Sequence, residues 1–106
     1  GYRVMVPTGL IFDIDPGHVL KVFSRSSLSL KKGIMVVNGV GIVDSDYVNE
    51  SYVLLYNTSD GAIVINHGDR IGQAILEKTE YYEISEISEA PTQKTEREGG
   101  FGSTGE

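Results

Sequence analysis

Apolar residues in this chain come only in short runs. RVMV, GLIFDI, HVLKVF, GIMVVN, SYVLLYN, AIVIN, RIGQAIL and YYEISEI are punctuated by PT, DPG, NTSDG and NHGD. Runs of about four to seven residues at regular spacing, rich in Val, Ile and Tyr, predict strands of an all-β sandwich or barrel. Only SSLSLKKG carries a helix signal, with Ser26 or Ser27 as its N-cap and Gly33 as its stop. That is a short helical element of about two turns. The acids at 80, 83, 86 and 89 repeat every three residues, a helix-like spacing. The β-branched and aromatic residues among them, followed by Pro91, predict a strand and then a loop.

The 106 residues make one domain, with no room for a second core. Residues 1–89 form the β domain. From Ala90 onward, APTQKTEREGGFGSTGE has no apolar periodicity, and residues 90–106 read as a flexible Gly-rich C-terminal arm.

Several chemistries drop out on composition. With no cysteine, disulfides, thiolate catalysis and Cys-ligated zinc are excluded. His18 and His67 lie far apart and read as surface loop residues, not metal ligands. No apolar run approaches the roughly 18 residues of a membrane span, and nothing at the start resembles a signal peptide. A soluble, cytoplasmic protein is the expectation, with no membrane partner. Net charge is −6, and Glu80 to Glu106 holds seven acids against Lys94 and Arg97, a local −5. Such a surface repels nucleic-acid phosphates, so no nucleic-acid partner is expected. Any phosphate this protein handles is met by a few placed groups.

Four stretches offer such groups. In FSRSSLSLKKG, Arg25 brings a planar fork of donors, and Ser26 and Ser27 add hydroxyls where a helical turn starts. This is either an anion site or a surface arginine beside an ordinary cap. In VVNGVGIVDSDYVNE, Gly39 and Gly41 permit a tight hairpin whose backbone approaches a ligand, with Asp44, Asp46 and Tyr47 following. The bland reading is a hairpin with a polar turn. In NHGDRIGQAIL, Arg70 and Gln73 lie three apart, on opposite faces of a strict strand, so both serve one site only if one is a turn residue. The tail GGFGSTG lacks the GK[ST] of a Walker loop and reads by itself as a linker.

Taken in order, SRSSLSLKKGI, NGVGIVDSDY, GDRIGQAIL and REGGFGSTG resemble the second to fifth motifs of the trimeric deoxyuridine triphosphatase (dUTPase) family. The resemblance runs from the VPTGL of Val6–Leu10 to about residue 105. It implies a distorted jelly-roll β-sandwich of the β-clip type, a homotrimer with active sites shared between subunits, and Mg²⁺-dependent hydrolysis of dUTP to dUMP and pyrophosphate. It places uracil on the Asn38–Tyr47 hairpin, held by backbone groups around Gly41 and by the Asn38 side chain. Tyr47 would stack on the deoxyribose and leave no space for a 2′-hydroxyl. Asp44 would activate the water that attacks the α-phosphorus, while Arg25, Ser26, Ser27 and Gln73 hold the phosphates. In-line attack at phosphorus calls for positioning and charge neutralisation, and Mg²⁺ bound through phosphates and waters needs no direct protein ligand.

By the same resemblance the arm crosses to a neighbouring subunit and closes over nucleotide. Phe101 would then cover uracil, Arg97 would face the γ-phosphate, and Gly102, Ser103 and Thr104 would follow the phosphate chain. Two departures stand out. Arg97 is followed by Glu98 and Gly99, one residue short of the family's R-G-x-G-G-F-G. The family's first motif, A-x-G-x-D-L, has no counterpart, since the chain opens at GYRVMVP, where members are on a later strand. A dCTP deaminase shares the RSSL stretch but places a catalytic glutamate where Leu54 stands, and has P-G-W or A-G-W in place of S-D-Y. A non-catalytic interaction protein on the same scaffold is the remaining alternative.

Overall fold

The computed structural model describes residues 1–100. Six strands and one helix follow in the order β1 (Tyr2–Pro7), β2 (His18–Phe23), α1 (Ser26–Lys32), β3 (Ile34–Val36), β4 (Gly41–Asp44), β5 (Tyr52–Asn57) and β6 (Gln73–Lys78). They make two three-stranded sheets, β1-β5-β3 and β4-β2-β6, with every pairing antiparallel. The all-β expectation holds.

Along the chain, successive strands alternate between the two sheets, so no strand pairs with its neighbour in sequence. Each ladder therefore closes a long loop: β1 meets β5 with Val6 opposite Val53, and β2 meets β6 with Val22 opposite Ala74. The expected hairpin at Gly39–Gly41 is corrected on this point. Residues 37–40 carry the chain from β3 in one sheet to β4 in the other, with Gly39 N–H donating to the Val36 carbonyl (3.1 Å). The Gly signal marked a sharp turn but not which strands it joins.

Alternation along the strands builds the core. In β5, Val53 and Leu55 point inward while Tyr52 and Leu54 face out, and in β3 Ile34 and Val36 are buried on either side of Met35. These four buried residues form one cluster, with Val6, Val22, Leu28, Ile63 and Ile71 packed against it. Each such side chain removed from water contributes about 1.5–3 kcal/mol against chain entropy. Leu28 is how α1 docks, and Gly33 ends the helix in the left-handed region (φ 69°), its N–H bonding the Leu28 and Ser29 carbonyls. The N-cap is Arg25, not Ser26 or Ser27: Arg25 is extended, and its carbonyl accepts the first helical bond from Ser29 N–H (3.0 Å). No side chain caps that end.

Three apolar runs do not become strands. GLIFDI, AIVIN and YYEISEI have no ladder partner, and no helix or strand follows Lys78 among the described residues. A strand needs a neighbour for its backbone groups, which local composition does not supply. In the last run Tyr81, Tyr82, Ile84 and Ile87 stand exposed.

Candidate active site

The cavity richest in the predicted residues has a volume of about 260 Å³ and opens beside β4. Asn38, Gly41 and Tyr47 line it, with Met5, Ile42 and Leu54 supplying apolar walls. Asn38 lies on the sheet-to-sheet turn, Gly41 starts β4 and Tyr47 follows its end, so the residues of one sequence motif converge on one concave surface. Gly41 fits there for a steric reason. A Cβ at this position would sit 3.2 Å from Val22 Cβ, its partner on β2. Asp44 ends β4 between two residues that line the cavity, Val43 and Tyr47, and its carbonyl accepts the Tyr47 N–H (3.1 Å).

Tyr47 is held at its far end. Its hydroxyl donates to the Glu50 carbonyl at 2.7 Å, while the side chain stays 40% exposed. Tyr52, on the same cavity wall, approaches the Glu50 carboxylate with its hydroxyl (3.4 Å). The Glu50 charge, with partial burial, that hydrogen bond and the nearby Tyr47, raises the Tyr52 phenol above the usual tyrosine range.

A second group of predicted residues meets where α1 begins. Arg25 donates from Nη1 to the Arg70 carbonyl (3.0 Å), and Gln73 donates from Nε2 to the Ser24 carbonyl (2.8 Å). These reciprocal side-chain-to-backbone bonds tie the stretch before α1 to the stretch entering β6. Because β6 starts at Gln73, Arg70 is a loop residue, and both segments join one region without opposing strand faces. Arg25 also lines an opening of about 370 Å³ with Lys32, Asp69 and Arg70, which leaves a cationic excess there. Ser26 and Ser27 are exposed on the first turn of α1, where helix geometry leaves N–H groups without intrahelical acceptors. Sequence reasoning missed Ser24, whose hydroxyl accepts the Val36 N–H (2.8 Å) and whose carbonyl holds Gln73. Its place next to Arg25 was the available signal.

The structure does not bring Arg97 to either cavity. It lies on the exposed segment after β6, with Nη2 3.5 Å from the Gly100 carbonyl. Phe101, Gly102, Ser103 and Thr104 lie outside the described residues. Among the described residues no three His, Asp or Glu gather into a metal-binding group. No helix there is long and apolar enough to cross a membrane. A mostly apolar opening of about 360 Å³, lined by residues including Tyr2, Val4, Ile34 and Asp60, contains none of the predicted site residues.

Comparison with known proteins gives the chain relatives in sequence and in fold. The sequence profile of the dUTPase family matches residues 1–105. The chain is 45% identical over 105 residues to a deoxyuridine 5′-triphosphate nucleotidohydrolase of Rhizobium johnstonii, covering 99% of this chain and 67% of that protein. It is 39% identical over 106 residues to the Chlamydia muridarum protein of the same name, covering 100% and 73%. Among solved structures, it superposes on the dUTPase of Streptococcus mutans with a TM-score of 0.75 at 32% identity, covering 78% of this chain and 70% of that one. The two-sheet arrangement is thus a jelly-roll-like β fold.

Proposed function

The chain belongs to the dUTPase family and hydrolyses dUTP, and we propose that it does so through a water activated by Asp44. The observation that carries this reading is the convergence of Asn38, Gly41 and Tyr47 on one cavity beside Asp44. Uracil would enter between the turn at Asn38 and the Gly41 backbone, where the missing Cβ lets base and main chain approach. Tyr47 would underlie the deoxyribose. The Asp44 carboxylate accepts a proton from water as its oxygen attacks the α-phosphorus; the bond to the bridging oxygen breaks, giving dUMP and pyrophosphate. The product supplies dUMP, and removal of dUTP limits uracil in DNA.

Arg25 and Gln73, whose side chains tie the segment before α1 to the segment entering β6, would with Ser26, Ser27 and the first N–H groups of α1 supply donors to phosphate oxygens. Mg²⁺ would be carried by the nucleotide's own phosphates and by water, with no direct protein ligand required. When bound it would neutralise phosphate charge. Deamination is not favoured, since Leu54 puts an apolar side chain on the cavity wall where the rival chemistry needs a carboxylate.

We further propose a homotrimer whose sites are completed by the neighbour's arm, with Arg97, Phe101, Gly102, Ser103 and Thr104 acting there. Exposed apolar side chains support assembly: Tyr2, Val4 and Met5 on edge strand β1, Leu76 on β6, and Tyr82 and Ile84 beyond it. A soluble cytoplasmic location goes with this nucleotide chemistry.

The deciding experiment is Asp44→Asn. Removing a base rather than a binding contact should lower kcat for dUTP by at least about 100-fold while leaving nucleotide affinity largely intact. Near-parental turnover would show that another group activates the water.

A further inference from the structure

Tyr47 selects against a 2′-hydroxyl only if its ring is held still. The ring's hydroxyl is anchored by donating to the Glu50 carbonyl (2.7 Å). The other side of that same peptide unit, the Ser51 N–H, donates to the Leu10 carbonyl (2.8 Å). Thus the plane that fixes Tyr47 depends on the loop at residues 8–10. That loop is gripped in turn by the Glu50 side chain, whose Oε2 accepts the Gly9 N–H at 2.9 Å. Thr8 closes the remaining side, its N–H (3.2 Å) and Oγ1 (2.6 Å) both donating to the Ser51 carbonyl.

We propose that Glu50 is a positioning residue for nucleotide selection: its carboxylate locks the Gly9 loop to the Glu50–Ser51 peptide and thereby sets the Tyr47 ring against the sugar. The inference rests on Tyr47 being the sugar-facing ring, as proposed above. The chemistry favours it. A carboxylate accepting a backbone N–H is a charge-assisted bond, stronger than a neutral one. Residue 50 is half-buried as a whole, while its bond to Gly9 lies at the exposed surface. Tyr52 also approaches the other carboxylate oxygen with its hydroxyl, at a longer 3.4 Å. Glu50 touches no reacting atom in this scheme. Its effect should appear in discrimination, not in the Asp44-dependent step.

The test is the ratio of kcat/KM for dUTP to that for UTP, measured on the full chain. Glu50→Ala should lower the ratio about tenfold, as expected for loss of one charge-assisted bond. Glu50→Asp, which retains charge but withdraws the carboxylate by one methylene, should lower it similarly, so the result does not depend on the alanine variant folding. Glu50→Gln, whose amide oxygen can still accept the Gly9 N–H but carries no charge, should fall between the parent and Glu50→Ala. Tyr47→Phe removes only the hydroxyl and should match Glu50→Ala, and the Tyr47→Phe/Glu50→Ala double variant should fall no further than the lower single. Multiplying losses in the double variant, or an unchanged ratio in Glu50→Asp while Tyr47→Ala lowers it, would overturn the proposal. An unchanged ratio in Tyr47→Ala would instead overturn the sugar-stacking assignment and the proposal with it.

Discussion

Val22 and Gly41 face each other across the β2–β4 ladder so closely that a side chain at position 41 would have to push Val22 aside. A Cβ there would approach Val22 Cβ to 3.2 Å, while Val22 is itself packed against the buried cluster of Ile34, Val36, Val53 and Leu55. The substrate cavity and the protein core thus share one wall, for Val22 and Gly41 both line the proposed uracil site.

Gly41→Ala should therefore cost stability and binding together. The valine cannot retreat without disturbing the core, so overpacking of about 1–3 kcal/mol is expected in denaturant unfolding. KM for dUTP should rise as the added methyl pushes β4 toward the base. Val22→Ala in the same chain should restore much of the KM, because it returns the space. If KM stays high in the double variant, the methyl obstructs the nucleotide directly and not through Val22.

How much of this was legible beforehand follows from the range of each interaction. The strand at SYVLLYN and the Gly33 stop of α1 are written in adjacent residues, and both were readable, though which residues of the run face inward was not. The destination of β4 was not. Residues 38–41 look like a hairpin turn locally, yet β4 pairs with β2, about twenty residues earlier, and not with β3. Likewise Tyr81–Ile87 has strand-forming residues but no ladder in one chain, because pairing is a property of the partner. In the site, the cluster Asn38, Gly41, Asp44 and Tyr47 could be read because it is contiguous. The bonds Arg25 to Arg70 and Glu50 to Gly9 span more than forty residues, and composition carries no trace of them.

The raised phenol of Tyr52 makes a prediction about alkaline stability. Its proton is held more tightly in the folded chain than in the unfolded one, chiefly by the Glu50 charge. Below the ordinary tyrosine value near 10 both states keep the proton and this contribution is fully present. As pH climbs from there through the raised folded value, the unfolded chain releases its proton first and the contribution is lost. The thermal midpoint should fall more steeply above about pH 10 in the parent than in Tyr52→Phe, a modest difference because the ring is 41% exposed. Parallel pH profiles would show that Glu50 and Tyr52 are not coupled.

Removing residues 96–106 should separate assembly from catalysis. The described part of the segment after β6 contributes no helix or strand, and residues 80–100 are exposed, so the β core loses little packing when its far end goes. The cut leaves Tyr82, Ile84 and Ile87 in place, so the apolar surface proposed for assembly is retained. The truncated chain should keep its thermal midpoint within a few degrees and remain a trimer by light scattering. Turnover should behave differently. Arg97 and Phe101 are proposed to act on a neighbour's nucleotide only after the arm closes, and a positioned charge-stabilising group contributes about 100- to 1000-fold to rate. Single-turnover hydrolysis of dUTP should fall by about that factor, with a smaller change in nucleotide affinity. An unchanged rate would make the arm a linker with no part in catalysis. A collapsed midpoint, or monomers in light scattering, would make it a structural element, and the rate loss would then follow from unfolding or dissociation of the shared site.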